Sequence, residues 1–201
     1  MAYPSFFDTV PTIKVADPLA NILGAFENGI YEFDFKEIVK SAGHSCPTVA
    51  GAYLITLQAL KTLYPNEMII RGNISVEFKE DLQDGVAGVI GNVVTQITGA
   101  TNKSGFKGLA GKFARHSLMT FNSEIASSAR FTRVDSQKSV DVFYDPSSVE
   151  PSPQMGPLMQ KMMAGIASAE EAKEFGHLWQ DRVKRIFENI DGVTKVIELD
   201  S

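Results

Sequence analysis

The pattern of apolar positions predicts a long buried helix in the first third of the chain. Residues 47–64 contain no proline after the first position, and Lys61 is their only charged residue. A helix that is apolar on nearly every side is usually buried. Pro47 suits the first helical position, because its φ is already helical and the first-turn N–H groups have no helical acceptor. We therefore expect Cys46 to cap a central, buried helix.

Alternation of apolar and polar residues with a period of two predicts strands around this helix. The segments that alternate lie near residues 68–79, 112–121 and 130–144. Residues 12–15 and 193–199 predict two further strands, each at the edge of a sheet. The predicted fold class is therefore α+β: a mostly antiparallel sheet packed on the buried central helix, followed by a C-terminal helical segment.

The positions of the prolines predict where one structural segment of the chain ends and the next begins. Four prolines lie within residues 146–157. Ser168 and Glu171 form a capping-box pattern that opens a helix extending to about residue 189. We expect an α+β core over residues 1–145, a crossover over 146–157, and a helical segment over 158–201 packed on the core. The apolar stripe of that last helix needs cover, which the core or a second copy in a homodimer would provide.

The overall charge narrows the classes of function. The chain of 201 residues has 19 basic and 24 acidic residues, a net charge of −5. This balance argues against general nucleic-acid binding, which needs a basic surplus to neutralise phosphates. No signal-peptide pattern and no run of 18 apolar residues is visible. We expect a cytoplasmic protein with no membrane partner and, with one cysteine, no intramolecular disulfide.

The candidate chemistry lies in residues 41–48, immediately before the central helix. His44 and Cys46 stand two positions apart, and Cys46 is the only cysteine of the chain. A helix N-terminus stabilises thiolates and other anions, and thiolate and imidazole are ligands that zinc prefers. Two ligands are too few for a closed structural site, so His116, a carboxylate such as Glu77 or Asp81, or water would have to complete it.

A glycine-rich stretch over residues 98–111 is a second candidate. It combines four glycines with Lys103 and Lys107, but it lacks the spacing of a phosphate-binding P-loop. Such a stretch more often supplies turns and close packing. Lys103, Gly105 and Lys107 are nevertheless its candidate contacts for a bound anion, cofactor or substrate.

Residues 43–47, Gly-His-Ser-Cys-Pro, resemble the Gly-His-x-Cys-Pro-Gly signature of the FmdE-like family, which is related to formylmethanofuran dehydrogenase. Residues 34–40 resemble the short helix that leads into this signature, and residues 94–108 its Thr-Gly-Cys-Thr turn and glycine-rich loop. Residues 164–175 resemble the start of its C-terminal helix. The resemblance spans roughly residues 30–190 and favours a helix over residues 86–97, which are rich in both β-branched and small residues.

Three departures from the family pattern reduce the number of soft ligands. Ala42 stands where the family often has a second histidine, and Ala100 stands where it often has a cysteine. Some members also carry a cysteine-rich zinc finger that this chain lacks. The resemblance implies a metal-handling or redox setting near molybdenum or tungsten enzymes, in which proteins of the FmdE type are accessory.

Four functional hypotheses follow from these residues. The first is a protein that binds zinc or another divalent transition metal through His44, Cys46 and His116, in an enzymatic or accessory role in redox or one-carbon metabolism. The second is a metal-free enzyme acting on a small-molecule substrate, with Cys46 as catalytic nucleophile and His44 as base or ion-pair partner. The third is a haem or tetrapyrrole protein using the Cys-Pro thiolate. The fourth is a non-catalytic dimeric module.

Overall fold

The computed structural model describes residues 3–199, which fold as an α+β protein. The helices are α1 (Pro18–Ile22), α2 (Phe35–Ala42), α3 (Pro47–Leu63), α4 (Ala87–Thr98), α5 (Met155–Met163), α6 (Ala169–Glu188) and α7 (Ile190–Val193). The strands are β1 (Ile13–Ala16), β2 (Ile30–Phe33), β3 (Ile69–Ile70), β4 (Ile74–Phe78), β5 (Met119–Thr120), β6 (Ala129–Arg133), β7 (Ser139–Tyr144) and β8 (Thr194–Leu199). Short 3-10 turns occur at Ser5–Thr9, Glu27–Gly29 and Pro146–Ser148.

Helix α3 is the centre of the hydrophobic core, as its sequence predicts. Twelve of its 17 residues are buried, and it begins at Pro47 with Cys46 as N-cap. One side of the helix packs against β6, β7 and β8, and the other sides meet α2, α4 and α6. Because α3 is surrounded on all these sides, it contributes apolar residues at nearly every position.

The larger sheet has five strands in the order β5-β4-β6-β7-β8. All its pairs are antiparallel except β4–β5, which is a two-residue parallel contact. The predicted C-terminal strand is confirmed as the edge strand β8, paired along its whole length with β7. The segment after the proline-rich crossover therefore adds a strand to the main sheet as well as helices beside it.

The smaller sheet corrects one prediction. Its order is β2-β1-β3, so β1, predicted as an edge strand over residues 12–15, is central. It pairs antiparallel with β2 and parallel with β3. The parallel partner lies more than fifty residues further along the chain, and alternation within β1 carries no information about such a partner.

The strand predicted over residues 112–121 is also wrong, since only Met119–Thr120 is strand. Phe113 and Ser117 have φ of 63° and 58°, which an extended strand cannot accommodate. The preceding chain instead closes on itself as a loop. Within it the Thr101 N–H donates to Arg115 O at 2.8 Å, and the Leu118 N–H donates to Thr101 O at 3.0 Å.

A buried ion cluster fixes this loop to the smaller sheet. The Asp17 carboxylate caps α1 and accepts hydrogen bonds from Arg71 at 3.0 Å and from Arg115 at 2.7 Å. Arg71 also donates to the carbonyls of Gln96 and Ile97 at the end of α4. One carboxylate therefore connects α1, the end of α4 and the loop before β5.

The C-terminal helix α6 begins with the predicted capping box, in which Ser168 and Glu171 exchange hydrogen bonds. Val183 and Ile186 are buried on its inner face. The Phe187 ring lies 4.7 Å, centroid to centroid, from the Phe35 ring in an edge-to-face arrangement. The apolar stripe of α6 thus packs on the α+β part of the same chain. Within residues 3–199, no helix has both the length and the apolar character needed to cross a membrane.

Candidate functional site

The turn that carries His44 and Cys46 lies between the end of α2 and the start of α3. Asp34 opens α2 with a capping box, and Gly43 ends it in the left-handed conformation at φ +77°. The Gly43 N–H donates to Val39 O at 2.9 Å. Cys46 then adopts extended backbone angles and Pro47 starts α3. The turn is short because the C-cap of one helix and the N-cap of the next are only three residues apart.

The Cys46 thiol is buried at the start of α3. The residue is 9 % exposed, and its sulfur accepts a hydrogen bond from the Val49 N–H at 3.4 Å. The Tyr144 hydroxyl donates to Pro47 O at 2.7 Å in the same first turn. Burial raises the pKa of Tyr144, and nearby Arg182 lowers it by less, so the phenol stays protonated and remains a donor at neutral pH.

The His44 imidazole lies at the surface instead. Its Nδ1 is 3.0 Å from Ala42 O, and because a carbonyl only accepts, this contact assigns the proton to Nδ1. In the neutral ring the lone pair is then on Nε2, the nitrogen available to bind a metal or a proton. The ring lines a groove of about 400 Å³ between the end of α2 and the polar residues Asn92, Thr95 and Gln96 of α4.

His44 and Cys46 are neighbours in the turn but occupy different environments. The thiol belongs to the hydrophobic core, whereas the imidazole is exposed in the groove, which Cys46 does not line. His116 is half-buried in the loop before β5, where its Nδ1 lies 3.0 Å from Ser117 Oγ. Across residues 3–199 no three His, Cys, Asp or Glu side chains are close enough to hold a metal together. The three predicted ligands are therefore not gathered in one group.

The structure adds two contacts between α6 and this turn that the sequence did not indicate. The Trp179 indole N–H and the Gln180 amide both donate to Ser45 O, at 2.9 and 3.2 Å. They join the C-terminal helix to the residue immediately before Cys46. The apolar stripe of α6 predicted that Trp179 packs inward, but no local signal shows which carbonyl it meets 134 residues away.

Two buried oxygens beside Cys46 lack a hydrogen-bond partner. They are the Ser45 hydroxyl and the side-chain carbonyl of Gln180, neither of which is satisfied by any group in the described part of the chain. Leaving such a group unpaired costs about 1–3 kcal/mol. Both atoms can accept hydrogen bonds, and both belong to residues that meet at Ser45, immediately before Cys46.

The predicted anion contacts lie apart from this turn along the chain. Lys103, Gly105 and Lys107 are exposed in the loop before β5, and none of them lines the groove at His44. Gly105 has φ +101° and packs so closely on Thr101 that a Cβ would overlap its hydroxyl. Close packing on Thr101 therefore explains why residue 105 is a glycine. Ligand binding by Lys103, Gly105 and Lys107 stays a prediction.

One comparison with known proteins identifies relatives. The family model described as "FmdE, Molybdenum formylmethanofuran dehydrogenase operon" matches residues 42–193, well over half of the chain. The match begins at Ala42 and so includes the turn with His44 and Cys46. No curated protein matches the chain significantly.

Proposed function

Since the chain belongs to the FmdE family, whose model covers the His44–Cys46 turn, we propose that it is a cytoplasmic protein that binds a divalent transition metal, zinc first, at this turn. The role we propose is accessory or enzymatic, in redox or one-carbon metabolism. A reducing compartment is consistent with the unpaired thiol of Cys46.

The observation that carries the proposal is the pair of unpaired acceptors on residues that meet at the motif turn, Ser45 Oγ and Gln180 Oε1. An apolar core residue would need no such neighbours, and each acceptor lowers stability as long as it is unpaired. A hydrated cation held by the thiolate would supply hydrogen-bond donors to both. Unpaired polar atoms on the residues of this turn support a binding role for it.

The donor set fits zinc in type but is incomplete in number. Thiolate sulfur and imidazole nitrogen are suitable ligands, and His44 presents Nε2 for this purpose. The exposed hydrogen bond between His44 and Ala42 would break for the imidazole to approach the thiol. One chain contributes two ligands, so water or a second copy of the chain fills the other positions. The metal would supply Lewis-acid chemistry at an open, exchangeable site.

Elemental analysis of the purified protein, followed by zinc titration calorimetry, tests this proposal. We expect one metal per chain, or one per two chains if a homodimer shares the site, with light scattering separating the two cases. Cys46→Ser should abolish binding and His44→Ala should weaken it. His177→Ala, which removes an exposed histidine of α6, is the matched control and should bind zinc like the wild type.

A wild-type protein that neither retains nor binds a transition metal would refute the proposal. An absorbance spectrum of the same sample tests the haem hypothesis, since a Soret band would identify a tetrapyrrole bound through the Cys-Pro thiolate instead.

A second candidate function is thiol chemistry without metal. The hydrogen bond from the Val49 N–H to the Cys46 sulfur supports it, because helix N-termini stabilise thiolates. Iodoacetamide labelling of metal-free protein at neutral pH is the measurement. Labelling faster than that of free cysteine, and slowed by His44→Ala, would support a nucleophile. Slow labelling in both proteins would leave the thiol with a packing role.

A further inference from the structure

A second cavity, of about 350 Å³, lies beside α3, where Gly51, Ala52 and Ile55 line it. It opens between the start of α4, the ends of β4 and β7, and residues 126–128. Its wall is mainly apolar and includes Ile55, Phe78, Ala87, Ile90 and Phe143. Small-molecule sites have this size and character, with a few polar groups that orient the ligand. The proposed metal site makes no use of this cavity.

Ser127 is the polar group that suggests a binding role for this cavity. The residue lines the cavity and is completely buried, while its neighbours Ala126 and Ser128 are exposed. Its hydroxyl has no hydrogen-bond partner anywhere in residues 3–199. A buried water molecule needs two to four polar partners, and the adjacent Ser128 hydroxyl already accepts from the Tyr144 N–H at 3.1 Å. No group in the described residues therefore competes with a ligand for the Ser127 hydroxyl.

The charges around the cavity restrict what this ligand can be. Lys79 and Glu80 carry opposite charges and are exposed at the mouth. Among the residues that the structure describes, the only other ionisable group in the wall is Tyr144, whose hydroxyl already donates to Pro47 O. A charged group placed deep inside would have no counter-charge, and burying it unpaired is very costly.

We propose that this cavity binds a neutral, largely apolar small molecule that hydrogen-bonds to Ser127 through one hydroxyl or carbonyl group. A serine hydroxyl both donates and accepts, so either ligand group is recognised. The site is independent of the metal proposed at Cys46, although Tyr144 borders both. Failure of either proposal leaves the other standing.

Calorimetry with two probes of matched size, 2-naphthol and 2-methylnaphthalene, tests the proposal. Both should bind the wild-type protein with a stoichiometry of one. Ser127→Ala should weaken 2-naphthol by about three- to tenfold, the usual worth of one hydrogen bond, and leave 2-methylnaphthalene unchanged. The thermal midpoint of the Ser127→Ala protein should stay the same or rise, because the unpaired hydroxyl is gone. Ala126→Trp, which fills the exposed mouth, should abolish binding of both probes.

The matched control is Ser136→Ala, which removes an exposed serine in the turn between β6 and β7 and should change neither affinity. Equal affinity of wild type and Ser127→Ala for 2-naphthol would overturn the proposal. So would wild-type affinity in a folded Ala126→Trp protein, because the probes would then be binding elsewhere.

Discussion

Replacing Asp17 by Asn should be among the more destabilising single-atom changes in this chain. Asp17 is 3 % exposed, and its two carboxylate oxygens receive hydrogen bonds from Arg71 and Arg115. Asparagine keeps the size of the side chain and is itself a good N-cap for α1. What it removes is the negative charge, which leaves two guanidinium groups facing each other without compensation.

The expected cost follows from the burial of these groups. Removing one partner of a buried ion pair costs about 3–5 kcal/mol. Arg115 is 6 % exposed, but the Arg71 side chain is 21 % exposed and is partly screened by water. We therefore expect the lower end of the range, about 3 kcal/mol, which for a chain of this size lowers the thermal midpoint by about 6–12 °C.

Urea denaturation at several pH values is the assay. Burial alone would raise the pKa of Asp17, but the two arginines outweigh it and hold the pKa below its ordinary value of 3.8. A lowered carboxyl pKa gives stability that is complete above the unfolded-state pKa and disappears as the pH falls through the folded-state pKa. The difference between wild type and Asp17→Asn should accordingly be constant from about pH 5 to 8 and shrink below about pH 4.

Two further variants make this test specific. Asp8→Asn removes the carboxylate of an exposed pair with Lys36 and should cost far less than Asp17→Asn, because water screens such a pair. Adding Arg115→Met to Asp17→Asn should recover part of the loss, because an uncompensated buried charge is removed together with its partner. If Asp17→Asn costs no more than Asp8→Asn, the cluster does not hold the loop and α4 together as argued.

Three other changes probe single packing or capping features. Ser168→Ala removes the cap of α6 and should lower the free energy of unfolding by about 1 kcal/mol in urea; no change would show that the exposed first turn is frayed already. Gly72→Ala places a Cβ at φ +85° onto the Arg115 guanidinium and should cost about 2 kcal/mol or more, measured in the same way; a neutral result would contradict both the clash and the backbone strain. Gly51→Ala would overlap the Tyr144 ring and should lower the thermal midpoint, and the same change beside Tyr144→Leu should be much milder; equal losses would contradict the clash.

The local helix signals predicted much of this fold. Pro47 after Cys46 and the Ser168 capping box each mark a helix start within a few residues, and both are confirmed. These signals are read within one turn of chain, so they do not depend on the tertiary structure. Burial of α3 follows for a similar reason, because an all-round apolar helix has no face that water favours.

What the sequence could not show depends on contacts between distant residues. The alternation of residues 112–121 predicts a strand, but Phe113 and Ser117 have a left-handed backbone that alternation does not reveal. Asp17 has the sequence context of a simple helix cap, yet its charge is matched by Arg115, 98 residues later. The environment of the candidate site has the same origin, since Gln180 reaches Ser45 from the far end of the chain.

The contact between α6 and the motif turn also gives the protein a built-in optical reporter. Trp179 is the only tryptophan of the chain, and its indole N–H is bonded to the carbonyl of the residue before Cys46. Intrinsic fluorescence excited at the indole band therefore comes from one place, and that place is the candidate site. A change in emission on adding a metal or a thiol reagent would report events at this turn in unlabelled, natural-sequence protein. Because α6 must stay docked to keep the indole there, the same signal would report detachment of this helix.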